Sequence, residues 1–262
     1  MITLETKIVE KPWGRTGLPA RFGVESKEKI GEIWFVPPAG RELDVMAKYL
    51  FTSERLSIQV HPDDETARAR GYPRGKDECW LVLDSHVDAE LGIGTVRPVA
   101  ADELIEAAKD GTIVDLIDWK RPKAGDFIYN PAETVHALGP GLTVLEVQQA
   151  VDLTYRLFDY GRPRELHLAQ SRDVVDAVPH RDPRDGSFGE ETRILLDGPK
   201  FGLAWCVGEA PALPDDARDI QLLPVDGAAG GVASGACALV DRSEVEAIRS
   251  DGRFVLAWSI GG

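Results

Sequence analysis

The chain has 262 residues, of which 43% are hydrophobic, and its formal net charge is −14 at pH 7. Because nucleic acid and anionic membrane surfaces are also negatively charged, this net negative charge excludes binding to them that is driven by the overall charge of the protein. No apolar stretch is long enough to span a bilayer, and the N-terminus shows no basic region followed by an apolar segment. The three cysteines are odd in number and lack metal-ligand spacing, which is typical of a reducing compartment. The sequence therefore predicts a folded cytoplasmic protein with no nucleic-acid or membrane partner.

Taken in chain order, the hydrophobic patterns predict many short strands and few helices. Strands are expected at residues 30–37, 46–53, 56–61, 81–83, 89–93, 126–130 and 134–138, followed by a long alternating stretch over 143–158. Helical turns are expected at residues 63–71. A helix is expected at 102–111, where an acidic first turn and a basic last turn precede a glycine. The turns are rich in glycine and proline, and together these features predict an antiparallel sandwich or barrel.

Four side chains on these predicted strands form a candidate metal site. Residues 56–61 alternate in polarity, so Gln59 and His61 project from the same face of one strand. Glu78 begins an apolar strand, and His136 follows a turn centred on Pro131. An amide oxygen, two imidazoles and a carboxylate form a ligand set that suits zinc or another borderline divalent metal. A cupin jelly roll builds its metal site from two such halves.

The C-terminal third of the chain has a different character. Residues 172–198 are polar, charged and punctuated by proline, which predicts a connector. Beyond them, strands are expected at residues 201–207, 237–240 and 253–258, with no histidine cluster. We therefore expect a metal-binding cupin domain with a short helical insertion at 1–171, and a reduced, metal-free cupin-like lobe at 199–262.

Several motifs, in the same order, resemble those of type I mannose-6-phosphate isomerases in their short bacterial form. The matching segments are residues 11–14, 30–34, 56–64, 76–80, 125–137, 146–149 and 152–156. The resemblance implies a mainly β protein: a cupin jelly-roll barrel with a second, smaller cupin-like lobe and few short helices. It also implies metal-dependent interconversion of mannose 6-phosphate and fructose 6-phosphate through an enediol, with one zinc ion per chain.

The resemblance also assigns roles to individual residues. Gln59, His61, Glu78 and His136 match the family's zinc ligands. Arg156 and Glu146 match groups assigned to catalysis and to proton transfer. Lys76, which shares a strand face with Glu78, is the third candidate catalytic residue. Candidate substrate-binding residues are Ser57, Lys48 and Asp152. A sugar phosphate approaching so acidic a protein requires local positive charge, and the candidates are Lys48, Lys76, Arg156, Arg162 and Arg164.

Two other classes of protein fit the same residues. One is another metal cupin enzyme, such as an iron dioxygenase, although this ligand set has only two histidines. The other is a non-catalytic sugar- or sugar-phosphate-binding cupin, which would keep the metal ligands and could lose Arg156 or Glu146. One position departs from the family pattern: Glu133 stands where most relatives have glycine, and we expect its charge to strengthen cation binding or to repel the phosphate.

Overall fold

The computed structural model describes residues 1–260 and is built mainly of β-strands. The strands are β1 Ile2–Thr3, β2 Glu5–Arg15, β3 Ile30–Val36, β4 Val45–Phe51, β5 Ile58–Val60, β6 Glu78–Ser85, β7 Leu91–Thr95, β8 Ile117–Lys120, β9 Asp126–Asn130, β10 His136–Leu138, β11 Leu142–Gln149, β12 Tyr155–Phe158, β13 Gly186–Ser187, β14 Arg193–Asp197, β15 Phe201–Glu209, β16 Ala217–Asp226, β17 Ala238–Val240 and β18 Arg249–Ile260. The helices are short: α1 Asp64–Ala69, α2 Ala101–Asp110, α3 Ile113–Leu116, α4 Leu168–Arg172 and α5 Arg242–Val245, with one 3₁₀ turn at Ala20–Phe22.

The strands form three antiparallel sheets, which are open in the part of the chain that the structure describes. The central sheet has seven strands in the order β13-β9-β6-β11-β4-β3-β2. A five-stranded sheet, β12-β5-β10-β7-β8, covers one of its faces, and a six-stranded sheet, β1-β17-β16-β18-β15-β14, covers the other. The predicted class, mainly β with a cupin fold and few short helices, is confirmed. The expected barrel, by contrast, is formed by facing sheets that do not close through hydrogen bonds.

The central sheet is buried on both faces. Because side chains alternate along each strand, one face contributes to the apolar core and the other lines a cavity. Along β11, Leu145 and Val147 enter an apolar core shared with Phe201 and Trp205 of the six-stranded sheet. The intervening Glu146 and Gln148 point to the opposite face, towards the five-stranded sheet. A second apolar cluster, with Ile58 on the five-stranded sheet, packs against α2 and closes that side of the molecule.

Most predicted elements are present, and the differences have local causes. The stretch over 143–158 is two strands, because the chain leaves the central sheet after Gln149 and joins the five-stranded sheet at Tyr155. Strands β2 and β16 were not predicted, and each contains a proline. A proline within a strand pattern argues against a central strand unless it lies at an edge or a bulge. In β16, Pro224 lies next to a register shift in the pairing with β18 and beyond the residues that pair with β17, so it occupies a position that the rule allows.

The C-terminal strands form most of the six-stranded sheet, and two of its strands come from elsewhere in the chain. β1 pairs with β17, and β14, from the expected connector, pairs with β15. β13, also from that connector, pairs with β9 at the edge of the central sheet. The boundaries 1–171, 172–198 and 199–262 stay a prediction. None of the helices within residues 1–260 combines the length and apolar character needed to cross a bilayer.

Candidate active site

Strand register brings the charged residues of the site into rows across the central sheet. In one row, Lys48 of β4 lies between Trp34 of β3 and Glu146 of β11, and Glu146 is in turn opposite Trp80 of β6. Glu78 lies two residues before Trp80, so it faces the same side, and its own cross-strand partner is Gln148. The five-stranded sheet contributes His136 and Gln59, which are paired in register on β10 and β5. The two sheets therefore face each other across the site.

Three predicted metal ligands converge between these sheets. One donor atom from each of His61, Glu78 and His136 lies within 4.8 Å of the others, and all three residues are buried. His61 Nε2 is 3.5 Å from Glu78 Oε2, and His136 Nε2 is 3.2 Å from Glu78 Oε1. The Nδ1 atoms lie 2.9 Å from the carbonyl oxygens of Leu153 and Thr134 and donate to them. These bonds fix the tautomer of both rings, so that each Nε2 presents a lone pair to the centre.

The fourth predicted ligand, Gln59, lies beside this cluster. Its amide is 3.3 Å from His136 Nε2, and its Oε1 accepts a hydrogen bond from Ser57 Oγ at 3.1 Å. The structure thus brings Gln59 and Ser57 together with the three ligands. Ser57 contacts Gln59 directly and also lines the cavity described below.

The electrostatic environment of these side chains suits a cation. Burial, together with the positive charge of Lys76, lowers the pKa of His61 to about 3, so the ring is neutral at pH 7. Burial alone would raise the pKa of Glu78, but Lys76 and the two histidines hold it well below its usual range. Glu78 Oε2 is buried and receives no hydrogen bond of good geometry from the described residues. Two imidazoles and an ionised carboxylate fit a divalent metal ion.

A line of alternating charges leads away from the cluster across the sheet. Lys76 Nζ lies 2.8 Å from Glu78 Oε2 and 4.0 Å from Glu146 Oε1. Lys48 Nζ lies 2.9 Å from Glu146 Oε1 and 3.9 Å from Glu32 Oε1. Burial would lower the pKa of Lys48, but the carboxylates of Glu146 and Glu32 raise it well above its usual value. Lys48 is therefore a fixed cation between two carboxylates.

The charged line and the metal cluster open onto one cavity of about 610 Å³. Arg156 and Asp152 lie on its wall, together with Arg164 and His167. Arg156 donates to the carbonyl of Glu165 at 2.8 Å, while its buried Nε has no partner among the described residues. The ten residues predicted as metal ligands, catalytic groups or substrate contacts thus line a single cavity or belong to its metal cluster.

Two residues singled out by the sequence lie outside the cavity lining. Arg162, a candidate for phosphate binding, does not line the cavity and instead pairs with Asp159 and Glu54. Glu133 does not line the cavity either, and the effect of its charge on a bound cation or on the phosphate stays a prediction. Its φ is 70°, a left-handed conformation that glycine adopts more readily than glutamate.

The sequence did not identify several polar and aromatic residues of the site. Glu32 accepts a hydrogen bond from Trp34 Nε1 at 2.9 Å, and Glu146 accepts one from Trp80 Nε1 at 2.9 Å. Asn130, opposite Glu78 on β9, donates to Glu78 Oε1 at 2.9 Å. Glu32 and Trp34 lie within the matching segment at residues 30–34. Because they are two residues apart on a strand, they share one face, and this spacing is the signal that could have identified them.

A mainly β protein whose facing sheets enclose a cavity lined in part by a buried His-Glu-His cluster that could hold a metal ion is a cupin. Comparisons with known proteins narrow this class. A probable mannose-6-phosphate isomerase of Bacillus subtilis, GmuF, is 34% identical over 68% of this chain and 69% of its own length. The mannose-6-phosphate isomerase of Streptococcus mutans is 32% identical over 76% of each chain. No family model matches the chain.

A solved structure extends the likeness to the whole fold. The crystal structure of mannose 6-phosphate isomerase from Bacillus subtilis matches with a TM-score of 0.80 and 27% identity, over 99% of each chain. The chain belongs to the mannose-6-phosphate isomerase family.

Proposed function

We propose that the chain is a metal-dependent aldose–ketose isomerase that interconverts mannose 6-phosphate and fructose 6-phosphate through an enediol. The main support is the arrangement of a His-Glu-His cluster, the Lys48–Glu146 pair and Arg156 around one cavity of about 610 Å³. This volume lies within the range of about 300–1,000 Å³ that is typical of small-ligand pockets. The names of the relatives point to the same reaction.

We further propose that the metal is zinc and that Gln59, His61, Glu78 and His136 hold one ion. Nitrogen and oxygen donors from two imidazoles, a carboxylate and an amide suit this ion. When bound, the ion supplies Lewis acidity towards the substrate oxygens next to the reacting carbons. The three free, buried cysteines support a cytoplasmic location, because a reducing compartment keeps thiols unpaired.

The protein side chains carry the proton and the developing charge. Glu146 is proposed to move the proton between C1 and C2, since its carboxylate is held in place by Trp80 Nε1 and Lys48 Nζ. Lys76, 4.0 Å from Glu146, is the second group in a position to carry that proton. Arg156 keeps its charge and is proposed to stabilise the negative oxygen of the enediolate.

Basic side chains on the same wall of the cavity as Arg156 support binding of the phosphate. Arg164 and His167 line this wall, and the His167 ring accepts a hydrogen bond from the backbone N–H of Arg156 at 3.1 Å. Asp152 also lines the cavity, and because a carboxylate repels a phosphate, we propose that it contacts the sugar. Ser57 and Lys48 are proposed to contact the sugar near the metal ligands.

The test is a coupled assay of fructose 6-phosphate formation from mannose 6-phosphate by zinc-loaded protein. We expect turnover that a chelator stops and added zinc restores. Unphosphorylated mannose should be a much poorer substrate, because binding of the phosphate contributes energy to the remote reacting carbons. Binding of mannose 6-phosphate without turnover would overturn the proposal in favour of a non-catalytic sugar-binding cupin. Iron-dependent oxygen consumption would identify a dioxygenase instead.

A further inference from the structure

Gln148 has a buried acceptor atom that the proposed chemistry does not use. The residue is 2% exposed and lines the cavity. Its Oε1 is buried and accepts no hydrogen bond within residues 1–260. A buried acceptor without a partner typically costs about 1–3 kcal/mol, so a hydrogen-bond donor on a ligand would remove a cost that is already present.

The orientation of the Gln148 amide is fixed by the backbone. Its Nε2 donates to the carbonyl oxygens of Gln149 and Val151, at 2.9 and 3.1 Å. Both partners are acceptors, so only the NH₂ end of the amide can face them. Oε1 is therefore directed away from the turn at residues 149–151. The neighbouring Gln149 differs, because its Oε1 accepts from Asp77 N–H and its Nε2 donates to Asp64.

The position of Gln148 defines the chemistry that it can recognise. It is the cross-strand partner of Glu78 on β6 and of Met46 on β4, two residues along from Glu146. The residue therefore lies next to the metal ligands. A carbonyl oxygen binds a hydroxyl donor and repels a phosphate oxygen, which is also an acceptor. The matching group on a hexose phosphate is a hydroxyl of the sugar chain.

We propose that Gln148 is a specificity-determining residue that accepts a hydrogen bond from one sugar hydroxyl of the substrate. This inference rests on the proposed isomerase function and assigns a residue that selects the substrate rather than one that moves the proton. A site with a fixed acceptor discriminates against an analogue that lacks the matching hydroxyl, because the buried acceptor then stays unpaired.

The experiment compares mannose 6-phosphate with its 3-deoxy, 4-deoxy and 5-deoxy analogues, all of which keep the reacting C1 and C2. For the unmodified zinc-loaded protein, one analogue should show kcat/KM about 10- to 100-fold below that of mannose 6-phosphate, as expected for one unpaired buried acceptor. In Gln148→Met this ratio should fall to near 1, because the acceptor is gone for both substrates. The ratio compares two substrates on the same protein, so a purely structural effect would not change it.

Gln149→Met is the matched control. It removes a neighbouring buried glutamine whose two ends are already bonded, so it should lower thermal stability and leave the discrimination ratio unchanged. If Gln148→Met does not fold, Gln148→Asn takes its place. Asparagine is shorter by one methylene, so its carbonyl oxygen is moved away from the substrate hydroxyl. Equal discrimination in Gln148→Met and the unmodified protein, or no discrimination by the unmodified protein, would overturn the inference. Absence of turnover with mannose 6-phosphate itself would instead overturn the proposed function.

Discussion

Lys48 Nζ lies 2.9 Å from Glu146 Oε1, and the two residues are direct cross-strand partners on β4 and β11. Both are buried, at 8% and 4% exposure. A buried ion pair stabilises a fold only when its partners satisfy each other, and removing one partner typically costs about 3–5 kcal/mol. The pair thus links the stability of the central sheet to the position of the proposed proton-transfer group.

Lys48→Met should lower both stability and activity, since it leaves the Glu146 carboxylate buried without its cation. We expect the free energy of unfolding to fall by about 3 kcal/mol and kcat/KM to fall by ~10²-fold. Denaturant unfolding at pH 7 and steady-state kinetics measure the two effects. The double variant Lys48→Met, Glu146→Gln removes both charges, so it should recover much of the stability and none of the activity. If stability is not recovered in the double variant, the two side chains are not coupled.

Arg156→Ala should reduce kcat by ~10²–10³-fold, as is typical for loss of one charged donor to a developing oxyanion. The KM should change less than kcat, and metal content and melting temperature should stay close to those of the unmodified protein. Arg162→Ala is the matched control, because Arg162 pairs with Asp159 and Glu54 outside the cavity lining. Loss of metal in Arg156→Ala would indicate a structural role for this arginine instead.

The purified protein should contain about one divalent ion per chain, bound by the convergent Nε2 atoms and the Glu78 carboxylate. Elemental analysis of protein never exposed to a chelator measures the ion. The double variant His61→Ala, His136→Ala should contain none. His86→Ala, which changes an exposed histidine, should keep the full content. Retention of the ion by the double variant would show that it binds elsewhere.

The residues of the candidate metal site could be predicted from the sequence because their positions follow from local patterns. Alternation places Gln59 and His61 on one face, and the turn at Pro131 precedes the strand that begins at His136. Glu32 and Asn130 were missed because their roles depend on which strands are neighbours and in which register they pair. That information lies in contacts between distant parts of the chain, and a single sequence does not contain an explicit signal for it.

The same reasoning explains the missed strand β16. Pro224 falls within it, and local chemistry argues against a central strand there. The structure nevertheless places β16 between β17 and β18, where Leu222 and Leu223 on its two faces are fully buried. Pro224 itself lies beyond the residues that pair with β17 and next to a register shift in the pairing with β18, so its missing N–H falls where the pairing is already interrupted.

Asp64 of α1 connects the metal-binding part of the chain to the six-stranded sheet, and its charge should make stability depend on pH. Its Oδ2 accepts from Lys200 Nζ at 2.7 Å, and its Oδ1 accepts from Gly75 N–H and Gln149. Burial alone would raise its pKa, but these hydrogen bonds lower it to about 2. A carboxyl whose pKa is depressed by folding stabilises the protein above its unfolded pKa, and that stabilisation is lost as the pH falls through the folded value.

Asp64→Asn should therefore lower the free energy of unfolding by about 1 kcal/mol at pH 7, after allowance for solvent screening. The difference from the unmodified protein should shrink between about pH 4 and pH 2. Urea unfolding at a series of pH values measures it. A difference that stays constant over this interval would show that the Asp64 charge does not contribute through its depressed pKa.

Glu133→Gly should stabilise the protein without changing its kinetics. Glu133 has a φ of 70°, which costs a residue with a Cβ about 1 kcal/mol relative to glycine. Its carboxyl is half-buried, and burial raises its pKa, as do the nearby Asp63 and Asp176. The substitution removes both the unfavourable backbone conformation and the half-buried carboxyl. The greater flexibility of glycine in the unfolded chain offsets part of this gain in stability. The melting temperature should rise, and KM for mannose 6-phosphate should stay the same, because Glu133 does not line the cavity.

Glu133→Ala is the control, since it removes the charge and keeps the strained conformation. A lower KM in both variants would show that the charge of Glu133 acts on the phosphate after all, and equal stability of the two variants would show that the left-handed conformation costs nothing.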